Sequence, residues 1–375
     1  MRVSPGSARS AAPPTPARAD LDSIAPYVPG RHRAEIARAY GVRDVLKLAS
    51  NENPLGPSPR ALAAARAALE DVHYYPDSQA RDLRDALADR HDVEPAQIVL
   101  GNGSVECIDL VARAFLRPGD EAVIGFPSFP RFAIACQVIG VAPRVVRHRE
   151  WRFDLGAMRD AIGERTRVVF LDNPCNPTGT HLGPDELGAF LDDLPAGVLV
   201  VLDRAYYEFV PPEDRLADDV DRIQGGENLV VLRTFSKAHG LAGLRVGYAI
   251  ARPEHAVALD RVREAFNVSS VAQAAALAAM EDVDHVERAV RAAAVEREWL
   301  AGELARLGLD PVPSTTNFLF VEFGTRAPEV HEGLHARGVV IRPMSAPGIE
   351  THARISLGTR AGNERLVTAL EEILE

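Results

Sequence analysis

The segment RTFSKAHGLAGLR at 233–245 holds one of only two lysines among the 42 basic side chains of the sequence, the other being Lys47. A chain that writes its cations as arginine still needs lysine where a primary amine must react, because a guanidinium stays protonated and cannot form an imine. Either both lysines are incidental or Lys237 is kept for that chemistry. Three other segments carry possible companions. QIVL runs into GNGSVE, a turn that opens a helix; Ser104 there either caps the helix or joins its free N–H groups in holding an anion. GVLVVLD ends in Asp203, which is either a solvated acid at the end of a strand or a carboxylate that keeps a ring nitrogen protonated. TRVVFLD runs into NPCNPTG, with Asn176 in the loop.

Elements of a recognisable kind must position these groups. Short apolar runs at 97–100, 121–125, 166–172, 197–203, 228–234 and 245–250 alternate with helical patterns such as ALAAARAALE. Continuously apolar strands separated by helices predict an α/β fold whose central, largely parallel sheet is covered on both faces. Ligands of such sheets sit beyond the carboxyl ends of the strands. Parallel strands would therefore bring Ser104, Asn176, Asp203 and Lys237 to one rim. Beyond about 265 the texture changes to a long Ala, Glu and Arg helix pattern, strands near NFLFVEF and ARISLG, and a closing helix, which together predict a smaller α+β unit. The expected division is a disordered leader at 1–20, an arm at 21–50, a large domain at 51–265 and a small domain at 266–375.

Composition narrows the function classes. A formal charge of −11 argues against nucleic acid or an anionic membrane surface as a partner. The longest apolar runs fall short of a membrane span, and the leader has no apolar h-region of a signal peptide. Cys107, Cys136 and Cys175 are odd in number and lack CxxC spacing, so the expected setting is a reducing cytoplasm with no zinc site. No His pairing suggests any other metal. GNGSVE places Glu106 where the dinucleotide fingerprint wants a third glycine, which disfavours a nicotinamide dehydrogenase.

The ordered set LASNENPLGPSP, YYPD, GNGS, NPCNPTG, VLDRAYYEF, RTFSKAHGLAGLRVGYAI and ARISLGTR resembles the fold-type I pyridoxal phosphate aminotransferases, within them the histidinol-phosphate aminotransferase branch, from about Ile24 to the C-terminus. The resemblance implies pyridoxal 5'-phosphate as cofactor, a homodimer, and an amino donor and a 2-oxo acid as substrates. It implies that Lys237 joins the cofactor as an imine and then moves the proton. Asp203 would pair with the pyridine nitrogen, and Asn176 and Tyr206 with the ring's 3-oxygen. Ser104, Val105, Thr234, Ser236 and Arg245 would hold the phosphate, with Tyr75 reaching in from a second subunit and Phe129 stacking on the ring. Arg354 would clamp the anionic group of the substrate, with Asn317 and Asn51 beside it and Tyr27 closing over it.

Departures from the pattern are few. Arg204 replaces the acid of DEAY, and strand alternation should turn it away from Asp203. Cys175 stands where Asn is common, His239 where an aromatic is, and Val105 where Asp is. The leading expectation is transamination between histidinol phosphate and 2-oxoglutarate. The alternatives are an aromatic amino acid aminotransferase, a threonine-phosphate-type decarboxylase and, in a different class, a non-catalytic regulator on the same fold.

Overall fold

A computed structural model describes residues 17–18, 21–22, 24, 33–215 and 219–375. Tyr27, and all of the expected leader except Ala17 and Arg18, lie outside these residues. Eleven strands form two sheets among the described residues. In chain order they are β1 (Leu46–Leu48), β2 (Ile98–Gly101), β3 (Glu121–Phe126), β4 (Pro143–Arg147), β5 (Thr166–Asp172), β6 (Leu199–Asp203), β7 (Leu229–Thr234), β8 (Gly247–Ala251), β9 (Phe318–Glu322), β10 (Val339–Pro343) and β11 (His352–Ser356).

The larger sheet runs β2-β8-β7-β6-β5-β3-β4. Pairing is parallel from β7 through β4, while β8 is antiparallel to both β7 and β2. Two reversals restore direction, so β2 also ends on the rim shared by β3, β5, β6 and β7. The apolar runs lack alternation because both faces are buried. In β5, Val169 and Leu171 enter one core and Val168 and Phe170 the other; in β7, Leu229 and Val231 separate in the same way from Val230 and Leu232. Each such side chain contributes about 1.5–3 kcal/mol through burial. β4 was not expected: PRVVR starts with proline and lies at the edge with three of its residues exposed and the other two half-buried, so its sequence carries no core signal.

The smaller sheet runs β1-β10-β11-β9. β1 joins β10 in parallel, so a strand from before the large sheet completes the second one and carries Ser50, Asn51 and Glu52 to the junction. β10 also escaped the sequence reading, because VVIRP between a glycine and a Pro-Met-Ser loop is too short to tell from other apolar runs. The helix Ser270–Glu281, grouped with the small unit by its Ala-rich texture, buries Ala272, Ala275, Ala276 and Ala279 in the core under the large sheet. The long helix Val283–Arg306 follows, with Asp282 as its N-cap.

Arg204 does turn away from the rim, as alternation requires, but into the interior. Its guanidinium is 1% exposed and pairs in fork geometry with Asp219 at 2.8 and 2.7 Å, donating a third bond to the Asn173 carbonyl. Leaving one partner of a buried pair uncompensated costs about 3–5 kcal/mol. Asp219→Ala should lower the free energy of unfolding by about that much in denaturant titration, and Asp219→Glu by less.

Candidate functional site

Five loops leave the rim of the larger sheet and meet the end of β1 and the middle of β11. The cleft between them encloses about 280 Å³. Lys237, three residues beyond β7, is at its floor, and Asp203 is the last residue of β6. Lys237 Nζ donates to the Ser50 carbonyl at 3.2 Å and stands 5.6 Å from the centre of the Tyr206 ring. Burial, with the nearby Arg354 charge, lowers the Lys237 amine to about 7. Asp203 is 3% exposed; burial raises its carboxyl to about 6 against the opposing effects of the Ala205 N–H and Lys237.

A second group lines the opposite end. Helix Ser104–Phe115 begins at the cleft, and first-turn residues such as Ser104 and Val105 carry N–H groups with no intrahelical acceptor. Thr234 donates to Ser236 Oγ at 3.0 Å, and Arg245 Nη1 reaches the same oxygen at 3.4 Å. Two glycines make this convergence possible. A Cβ on Gly103, whose φ is +74°, would lie 2.4 Å from Arg245 Nη2, and one on Gly247 would lie 2.4 Å from the Ser104 nitrogen. Backbone, hydroxyl and guanidinium donors thus crowd one small volume, a cradle for a phosphate dianion.

At the mouth, Asn51 accepts a hydrogen bond from the Ser356 hydroxyl at Oδ1 and donates to the Tyr206 oxygen at 2.8 Å, while burial pushes the Tyr206 phenol up to about 12. Asn317 does not line the cleft; its amide donates to the Asn51 carbonyl at 3.1 Å and holds Asn51 in place. Arg354 donates to Asn176 Oδ1 and to the Ala49 carbonyl, with its guanidinium carbon 5.4 Å from the centre of the Phe318 ring. Phe129 forms part of the wall.

The profile of the family described as aminotransferase class I and II matches residues 43–370. The chain belongs to that family. It is 46% identical to a histidinol-phosphate aminotransferase 2 of Pseudomonas fluorescens over 96% of this chain and 97% of that one. It is 44% identical to the histidinol-phosphate aminotransferase of Moorella thermoacetica over 94% and 91% of the two chains. The crystal structure of histidinol-phosphate aminotransferase from Sinorhizobium meliloti in complex with pyridoxal-5'-phosphate superposes with a TM-score of 0.88 at 32% identity, covering 95% of this chain and 97% of that one.

Pyridoxal 5'-phosphate is the cofactor of this aminotransferase, and the cleft fits it. The donor cradle suits the phosphate, the buried Asp203 carboxyl at the rim suits the ring nitrogen, and the Lys237 amine shares the same cleft. Lys47 is excluded from this role: it lies on β1 and pairs with Glu52 at 2.6 Å. Arg360, the first residue of the closing helix, is away from the cleft, paired with Glu296 and stacked 4.3 Å from the Trp299 ring centre. Tyr75 does not reach the cleft of its own chain; it is 82% exposed and stacks on Phe266 with ring centres 4.7 Å apart.

Three site residues escaped the sequence reading. Asp172 ends β5 just as Asp203 ends β6, and the two are register partners. The strand-end acid that drew attention to Asp203 was thus available for it too. Burial raises the Asp172 carboxyl well above its ordinary range, and its Oδ2 accepts from the Asn176 N–H at 2.7 Å, fixing the NPCNPTG loop. Glu52 lines the cleft beside Asn51. Arg342 is the register partner of Arg354 across β10 and β11 and lines an adjoining cavity of about 130 Å³, a pairing that no linear spacing reveals.

Because protonated Lys237 has no lone pair to attack with, cofactor attachment to the apoprotein should slow as pH falls through about 7 and level off above it. Stopped-flow absorbance between pH 5 and 9 would follow this, and in Arg354→Gln the midpoint should move upward, since a nearby positive charge is gone. Gly103→Ala displaces the Arg245 guanidinium and should weaken cofactor affinity about 10–100-fold by equilibrium dialysis, the loss of a charge-assisted hydrogen bond.

Proposed function

We propose that the chain transfers an amino group between histidinol phosphate and 2-oxoglutarate. The observation carrying this reading is the pair Arg342 and Arg354, register partners that both line the cavity adjoining the cleft. Phe126, Phe129, Met344 and Ile349 complete that cavity. Apolar walls suit a flat imidazole ring, and two guanidinium groups suit a phosphate dianion better than a neutral or aromatic side chain. The names of the full-length relatives at 44–46% identity support the same choice.

When bound, pyridoxal 5'-phosphate supplies an electrophilic carbonyl carbon and a ring that accepts the electron pair released at the substrate carbon. Lys237 provides the amine that would hold the cofactor, and its Nζ, once free, would take the proton from the donor's reacting carbon and pass it to the former carbonyl carbon. Asp203 keeps the proton on the ring nitrogen. Asn51 orients the Tyr206 hydroxyl, and Arg354 orients the donor so that its reacting C–H bond faces Lys237.

We also read the protein as a cytoplasmic homodimer. Leu55, Leu62, Leu69, Val72, Tyr75 and Phe266 are exposed apolar side chains concentrated in two chain segments, and such a surface favours self-association. Tyr75, too far from its own cleft, would then meet the partner's phosphate cradle. Three buried free thiols fit a reducing compartment. Among the described residues no helix is long and apolar enough to cross a membrane.

Steady-state assays with 2-oxoglutarate should give histidinol phosphate a specificity constant about 100-fold or more above free histidinol, since each lost charge-assisted bond costs about 1.5–3 kcal/mol. Phenylalanine should be poorer still, and a phenylalanine constant above that of histidinol phosphate overturns the substrate. Asp203→Ala saturated with cofactor should fold normally and lose about 10²–10³ in turnover.

A further inference from the structure

Behind the cleft lies a larger cavity, about 670 Å³, with no part in the chemistry above. Its walls are the 207–212 segment, the end of helix Arg81–His91, β7 and β8, and one face of helix Val283–Arg306. Five arginines line it, Arg90, Arg215, Arg233, Arg291 and Arg297, against two acids, Glu208 and Glu287. The excess of positive charge is focused by low-dielectric walls.

Two side chains inside it lack the partners that burial demands. Arg233 is 7% exposed; its guanidinium lies over the Tyr207 ring at 3.5 Å, its Glu208 contact is 3.9 Å, and its Nε has no hydrogen-bond partner among the described residues. His239 is 6% exposed and neither ring nitrogen is bonded among those residues. Burial lowers the imidazole to about 3, so it is neutral, with one donor and one acceptor. A buried cation and a buried imidazole with open valences are costly unless something fills the space. Opposite them Val286, Val290 and Phe209 present an apolar wall. Such a volume, mostly apolar with a few convergent polar groups, matches sites for small molecules.

We propose that this cavity is a second binding site, for a small organic anion that offers a phosphate or carboxylate to Arg233 and Arg297 and an apolar body to Val286 and Val290. Its wall is also the wall of the cleft. Thr234 lines both spaces, Tyr206 faces one and Tyr207 the other, and Lys237 and His239 divide in the same way. An occupant therefore touches the strand that carries the phosphate cradle.

Calorimetric titration of the holoenzyme with phenyl phosphate and with benzoate tests this, because the two probes separate the head groups. The wild type should bind at least one probe in two classes of site. Ala294→Trp, which fills the mouth from the helix without removing any buried group, should lose one class and keep both the other class and turnover. Arg291→Gln combined with Arg297→Gln should weaken the same class about tenfold or more. Inorganic phosphate should bind there about tenfold more weakly than phenyl phosphate, for want of an apolar body. A single class of sites in the wild type, isotherms unchanged in both variants, or inorganic phosphate binding as tightly as phenyl phosphate overturns the proposal.

Discussion

The amine of Lys237 is useful only when neutral, and burial brings that form within reach near pH 7. In water a lysine amine is almost wholly protonated at pH 7. Here desolvation and the Arg354 charge bring it to about 7, while Asp203, a carboxylate that would pull the other way, is itself raised by burial to about 6. If Lys237 were exposed it would keep its proton; if Asp203 alone were close and solvated, its charge would hold that proton in place. The rest of the site depends on this balance of desolvation.

The sheet topology makes the balance possible. β8 inserted antiparallel between β2 and β7 lets the helix start at Ser104 stand beside Arg245 and the Thr234–Ser236 turn. Gly247 on β8 and Gly103 before the helix are the two positions where any side chain would fill the space. The convergence of donors there therefore rests on what two residues lack. It leaves the charged and aromatic residues of the same strands to face away, where Arg233 of β7 and Tyr248 of β8 line the cavity behind.

The smaller sheet supplies the substrate end. β1, drawn from the N-terminal side, carries Asn51 under Ser356 of β11, and Asn317 braces that contact from the strand entry. Arg354 reaches across to Asn176 in the loop after β5. Side chains from both sheets thus meet in one cleft, so the spacing of the two sheets sets its width.

Reactive groups were legible where chemistry restricts residue type. An imine needs a primary amine, so a lysine in an arginine-rich chain stands out; an acid at the end of a buried strand needs a reason, so Asp203 does too. The parallel sheet was legible because burial on both faces removes alternation from β5, β6 and β7. Asp172 carries the same mark as Asp203, an acid at the end of a buried strand. Arg342 and Arg354 are twelve positions apart and meet only through the antiparallel register of β10 and β11. Arg204 and Asp219 are likewise joined by folding, and either alone reads as a surface charge. The edge strand β4 has no core face to mark it. Sequence by itself determined the kind of chemistry, because bonds are made by particular atoms. Tertiary structure decided which charges are buried, which arginines pair and which cavities remain, because desolvation and register belong to groups brought together from distant parts of the chain.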